Sequence, residues 1–189
     1  MRLPLSEVEG WQRTAMDIRQ RDGKYFTVVG VRVGASNREI GSWSQPLLSP
    51  VGRGLLAFVT KRIDGVLHIL VQARTEAGTL DVIEMAPTVH CTPDNFRDTD
   101  PDAQPPFLRM VLDTPPSRIR HEVVHSEEGG RFHHAENRYL VVEAGDEMPV
   151  EVPDDFIWIT ARQAMDLVRH GNYFNVQARS LLACMNALW

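Results

Sequence analysis

The chain has 189 residues, 43% of them hydrophobic, which suits one compact domain with a continuous core and excludes a large multidomain assembly. Twenty Lys and Arg residues against 25 Asp and Glu give a formal charge of −5 with no basic run to offset it, arguing against a nucleic-acid partner. The two cysteines, Cys91 and Cys184, stand in neither a metal nor a redox spacing, so a disulfide scaffold is excluded and a reducing cytoplasm is expected.

The first residues lack the charged-then-apolar pattern of a signal peptide, and no apolar run approaches the roughly 20 residues of a membrane span, so a cytoplasmic protein with no membrane partner is expected. Residues 6–20 place Val8, Trp11, Ala15 and Ile18 at helical spacing behind a Ser6/Glu9 capping box, which predicts a helix. Residues 25–33, 55–61, 66–73 and 80–85 read as strands, with turns at Asp64-Gly65 and Ala77-Gly78. Six of the twelve prolines fall between Pro93 and Arg118, predicting one long loop without regular structure. Strands follow at 119–125, 139–144 and 156–159. Thr160 then caps a helix ending near Gly171, and a final helix spans 176–188 with Leu181, Leu182, Met185 and Leu188 on its buried side. There is no internal repeat. Helices at the two ends of a mostly antiparallel or mixed sheet make a single α+β domain over residues 1–189.

The densest polar string runs from His121 to His134. On a strand, His121, Val123 and His125 share one face, and the strand delivers Ser126, Glu127 and Glu128 into the Gly129-Gly130 turn. Adjacent glycines permit close backbone approach, and their amides with Arg131 could hold phosphate oxygens, so a phosphorylated ligand is expected. Four histidines in this stretch match no standard zinc spacing, so no metal is expected and His133 and His134 read as a solvated turn. The string from Glu122 to Gly129 resembles part of the Nudix box of pyrophosphohydrolases but lacks its upstream glycine and glutamate, which argues against magnesium-dependent pyrophosphate cleavage.

Trp43-Ser44-Gln45-Pro46 reads as a loop in which Trp43 either stacks a flat base while Gln45 reads its edge, or plugs the core. His68, Leu70 and Gln72 alternate with apolar neighbours and predict a wet face on a central strand. Glu84 and Thr88 flank Pro87 as pocket candidates, the alternative being an edge strand closed by proline. Asn175 is expected to cap the last helix, leaving Gln177 and Arg179 in its first turn for a ligand or for solvent.

WSQP at 43–46, LHILVQARTEAG at 67–78, EMAPTVH at 84–90, HSEEGGRFHHAENRY at 125–139 and NVQARSLLACM at 175–185 together resemble the NDP-hexose 2,3-dehydratase family, over most of the chain. The resemblance implies a Nudix-like α+β fold without the pyrophosphatase residues, and a nucleotide-linked deoxysugar ligand, usually thymidine-diphosphate-bound. It implies removal of a C3 proton acidified by a C4 carbonyl and loss of the 2-hydroxyl, giving a 3,4-diketo sugar for a downstream 3-ketoreductase. No cofactor is needed. In that setting His125, Glu127 and Glu128, then His68, are the candidates for proton transfer. Arg131 and Arg179 are assigned to the diphosphate, and Trp43, Gln45 and Gln72 to the base or sugar. Family members generally carry two such modules and this chain resembles the C-terminal one, so a homodimer is expected. Alternatives are a noncatalytic nucleotide-sugar binding module and, more remotely, a degenerate Nudix hydrolase.

Overall fold

A computed structural model describes residues 2–186, of which Asn186 is described in its backbone alone. The described residues form two compact units, one made of residues 2–53 with 126–136, the other of 54–125 with 137–186. No helix among them is long and apolar enough to cross a membrane.

The first unit is a four-stranded antiparallel sheet, in the order β1 (Trp11–Arg13), β2 (Asp17–Gln20), β3 (Phe26–Gly34), β4 (Ser42–Pro50). The expected helix over 6–20 is therefore corrected to a short 3₁₀ turn, Leu5–Glu7, and a hairpin. Gly10 takes φ +76, which breaks any helix there. The Thr14 hydroxyl accepts from the amides of Met16 and Asp17, each at 3.0 Å, which closes the hairpin turn. Trp11 and Ile18 keep their helix-like spacing because the hairpin turns both toward one face, where Trp11 lies against Phe26 with ring centroids 4.8 Å apart. The WSQP string is likewise strand rather than loop. Pro46 and Pro50 are accommodated because β4 ends the strand order, where a missing donor costs no ladder bond on the outer side.

The second unit is a seven-stranded mixed sheet. Its path is β11 (Phe156–Thr160), β6 (Val66–Thr75), β5 (Gly54–Ile63), β10 (Glu136–Glu143), β9 (Ile119–Ser126), with β7 (Ile83–Pro87) beside β6 and β8 (Val89–Cys91) beside β5. The β5–β6 hairpin turns at Asp64 (φ 50) and Gly65 (φ 78), the two positive angles that a tight mirror-image turn requires. β10 runs parallel to β5, so the sheet is mixed rather than a meander.

Below their turn β5 and β6 pair as far as Val59 and Leu70 and then part. β7 continues alongside β6 and β8 alongside β5, and Thr88 sits at the fork between them. Its hydroxyl donates to the Leu70 carbonyl at 2.5 Å and accepts the Val59 amide at 2.9 Å, replacing the ladder bonds that the divergence would leave open. The expected strand over 80–85 is thus shifted to Ile83–Pro87, and β8 is an element the sequence reading did not contain.

Residues along β5 alternate between two cores. Leu56 and Phe58 join Ile69, Val71, Tyr139 and Phe174 on one side, where α2 (Ala161–Leu167) and α3 (Val176–Asn186) contribute Ala164, Ala178, Leu181, Leu182 and Met185. Leu55, Ala57 and Val59 join Leu70, Leu140, Val142 and Phe156 on the other, with Leu108 and Val111 of α1 (Leu108–Leu112). Each fully buried side chain of this size contributes about 1.5–3 kcal/mol. The proline-rich segment is therefore not structureless: its prolines start 3₁₀ turns, and α1 buries Leu108 and Val111. The expected wet face of β6 is also corrected, because Leu70 lies in the second core and the strand is covered on both faces at its centre. The Thr160 cap of α2 and the Asn175 cap of α3 are formed as expected, the former extended by Gln163 into a capping box and the latter made by the Ala178 amide donating to Asn175 Oδ1 at 2.9 Å. Leu181, Leu182 and Met185 are buried; Leu188 lies outside the described residues.

Candidate functional site

In the first unit the segment from Ser126 to Glu136 is clasped to β4. Leu48 donates its amide to the Arg131 carbonyl and accepts from His133, at 2.9 and 2.8 Å. Within the segment Glu127 donates to the Ala135 carbonyl and Phe132 to that of Glu128, while Gly130 takes φ +85. Trp43 Nε1 donates to Gln45 Oε1 and Gln45 Nε2 to the Gly130 carbonyl, both at 2.6 Å. Trp43, Gln45 and the Gly-Gly turn are thus brought together as one connected group. The amide of Gln45 spends one bond at each end on protein partners, which fixes its orientation and leaves one donor and one acceptor for a ligand. No heavy atom lies within 4 Å of a Cβ placed at Gly129 or Gly130, so the turn faces open space. Ser126, Glu128 and Arg131 are exposed, and the Arg131–Glu128 pair at 3.7 Å is too solvated to contribute much stability. The His133 and His134 rings meet edge to face, and among the described residues no group of three or more His, Cys, Asp and Glu is placed to hold a metal.

The other expected residues lie in the second unit and do not converge. His125 packs edge-on against Tyr139 and places Nε2 3.9 Å from Cys184 Sγ. His68 turns Nδ1 to the Val66 carbonyl at 2.9 Å. Gln72 donates to Asp155 at 2.8 Å, and Glu84 stands opposite Arg74 in the β6–β7 register. Thr88 is 2% exposed, and its hydroxyl is engaged by the Val59 amide and the Leu70 carbonyl. Gln177 is half-buried, while Arg179 donates to the Phe174 carbonyl at 2.9 Å.

A tighter polar group forms where β6, β8 and the start of α3 meet, from Asn175, which the sequence reading selected, and Arg74, Glu76 and His90, which it did not. Glu76 Oε1 lies 3.4 Å from Arg74 Nε and 3.8 Å from His90 Nδ1, and Asn175 Nδ2 donates to Glu76 Oε2 at 3.4 Å. Arg74 Nε and His90 Nδ1 are screened from solvent yet have no hydrogen-bond partner, so the carboxylate is held by charge more than by bonds. Burial, reinforced by the Arg74 charge and opposed by Glu76, lowers the His90 pKa to about 4. His90 is therefore neutral near pH 7, and its contact with Glu76 is not an ion pair there. Burial likewise pushes the neighbouring Cys91 thiol up to about 11 against the pull of Arg74. The one sequence signal was the Arg-Thr-Glu end of β6, where two charged residues interrupt a strand otherwise headed into the core.

Residues 1–185 match the NDP-hexose 2,3-dehydratase family. The chain belongs to that family. It is 53% identical over 188 residues to a dTDP-4-dehydro-6-deoxy-α-D-glucopyranose 2,3-dehydratase of Streptomyces violaceoruber, covering 98% of this chain and 42% of the relative. A protein of the same name from Amycolatopsis orientalis is 50% identical over 98% of this chain and 39% of its own length. The chain thus spans about two-fifths of these relatives. Among solved structures, an ADP compounds hydrolase aligns with a TM-score of 0.54 at 15% identity, over 95% of this chain and 91% of that one. RenU, a Nudix hydrolase from M. Smegmatis, aligns at 0.43 and 14% identity over 84% and 93%. The first of these likenesses shows a shared fold, and the expected α+β class with a mixed sheet holds.

Proposed function

We propose that this member of the NDP-hexose 2,3-dehydratase family removes water across C2 and C3 of a nucleotide-linked 4-keto-6-deoxyhexose. The observation that carries the reading is sequence agreement along residues 1–185 with the family, at 53% identity to a relative named for this reaction. The chemistry needs a base for the C3 proton and a donor for the leaving 2-hydroxyl, each contributing about 10²–10⁴ in rate. His125, Glu127 and Glu128 are the candidates from the sequence pattern, with His68 next. Arg131 and Arg179 are assigned to the diphosphate, and Trp43, Gln45 and Gln72 to the base or sugar. The enzyme acts in the cytoplasm as a homodimer, and its 3,4-diketo product is passed to a reductase acting at C3.

Incubation of the protein with dTDP-4-dehydro-6-deoxyglucose, followed by mass spectrometry, tests the reading: a product lighter by one water supports it, and unchanged substrate refutes it. Light scattering tests the dimer, which a clean monomer would remove. A noncatalytic nucleotide-sugar binding module is the second reading, favoured by His68, His125, Gln72 and Arg179 each being turned to a separate protein partner. Calorimetric uptake of dTDP with no loss of water from the sugar would select it.

A further inference from the structure

The group of Arg74, Glu76, His90 and Asn175 has the properties expected of a reaction centre rather than of a structural ion pair. An ion pair retained for stability brings its partners into hydrogen bonds, since buried polar atoms left unpaired cost about 1–3 kcal/mol each. Here the Arg74 Nε and His90 Nδ1 atoms remain unpaired although both face the same carboxylate oxygen. The four side chains come from a strand end, a second strand and a helix cap, so their positions are set by three elements of the seven-stranded unit. The Glu76 side chain is 32% exposed, enough for a ligand to reach it. With His90 neutral, Arg74 is the one cation against the one carboxylate of the group.

We infer that Glu76, in place of the sequence candidates His125, Glu127, Glu128 and His68, is the proton-transfer residue of the elimination and that Arg74 faces the oxyanion formed from the sugar carbonyl, an inference that rests on the dehydratase reading. Glu76 takes the proton from C3, and the C–H electron pair forms C3=C4 as the carbonyl becomes an enolate. Collapse of the enolate restores the carbonyl, forms C2=C3 and breaks the C2–O bond. The departing oxygen receives the proton back from Glu76 and leaves as water. The enol at C3 then moves its hydroxyl proton to C2, giving the 3,4-diketone. A guanidinium beside the developing oxyanion stabilises it most in a site with little water. Asn175 holds the second carboxylate oxygen, which orients Glu76 while leaving Oε1 for the proton.

The decisive experiment compares wild type with Glu76→Ala and Glu76→Gln on dTDP-4-dehydro-6-deoxyglucose, with dTDP binding measured by calorimetry as a check on folding. Both variants are expected to bind dTDP within about threefold of wild type and to lose at least about a hundredfold in turnover. Added formate is expected to restore turnover to Glu76→Ala in proportion to its concentration and to do nothing for Glu76→Gln, which leaves no space for it. Rescue is a readout that a merely structural glutamate would not show. Turnover of Glu76→Gln within about threefold of wild type overturns the assignment and leaves the dehydratase reading standing, as does loss of turnover in Glu76→Ala without formate rescue. If wild type itself binds dTDP and releases no water, the dehydratase reading fails, and this assignment with it. Should either variant unfold, Glu76→Asp decides: about tenfold loss supports the role, wild-type turnover refutes it.

Discussion

Thr88→Val removes one oxygen atom at the fork between β5 and β6 and keeps the shape of the side chain, so no cavity forms. Two backbone groups lose their partner: the Val59 amide, now held at 2.9 Å, and the Leu70 carbonyl, at 2.5 Å. Thr88 is 2% exposed, and Val59 and Leu70 are fully buried, so water cannot replace the hydroxyl without opening the sheet. At about 1–3 kcal/mol for each orphaned group, the loss is about 2–6 kcal/mol, a large share of the roughly 5–15 kcal/mol that holds a typical domain folded. Urea denaturation followed by far-ultraviolet circular dichroism measures it, and the expected result is a lower midpoint with an unchanged slope. Thr88→Ser is the control. It keeps both hydrogen bonds and loses one methyl, for about 1 kcal/mol. If Thr88→Val unfolds within about 0.5 kcal/mol of the parent, below even a single orphaned group, the fork is not closed by this hydroxyl and the reasoning fails.

The His90 imidazole, with its pKa lowered from 6.5 to about 4, stays neutral in the folded chain where the unfolded chain takes up a proton. Its contribution is fully present above about pH 6.5 and is lost as pH falls toward 4; at about 1.4 kcal/mol per pH unit this is about 3 kcal/mol. His90→Gln should flatten the stability profile between those limits, and an unchanged slope would contradict the burial argument. Cys91, raised to about 11, should carry about one thiolate in a thousand at pH 8 and resist iodoacetamide until urea is added. Rapid labelling in the folded protein would show that its surroundings are wetter than described. Gly130→Ala forces a side chain onto φ +85 at a cost of about 1–2 kcal/mol, and should speed hydrogen exchange at the Leu48 and His133 amides; unaltered exchange there would mean the turn tolerates the change.

The elements that could be read from sequence are those whose signals are local. Asp64-Gly65 fixes a hairpin through two positive φ angles, and the Thr160 cap starts α2 wherever the chain later packs. The β1–β2 hairpin was hidden because Val8, Trp11, Ala15 and Ile18 have spacings that a helix face and a tight hairpin share. Gly10, written into that helix, was the contrary signal. Thr88 illustrates a different limit. A threonine after a proline reads as a pocket residue, and only the divergence of two strands reveals a hydroxyl standing in for backbone. The polar string around Gly129-Gly130 was legible as a connected turn. The Arg74–Glu76–His90–Asn175 group was not, since the contact between Glu76 and Asn175 spans 99 positions and no spacing rule reaches so far.

The clasp of β4 by the segment from Ser126 to Glu136 has a consequence during synthesis. Leu48 leaves the ribosome about eighty residues before Arg131 and His133, an interval of roughly 4–16 s at ordinary elongation rates. Through that wait the outer rim of the nascent N-terminal sheet stands bare to any other newborn strand in a crowded polysome. Pro46 and Pro50 remove two donors from that strand, blunting accidental docking until the late-arriving segment seals it.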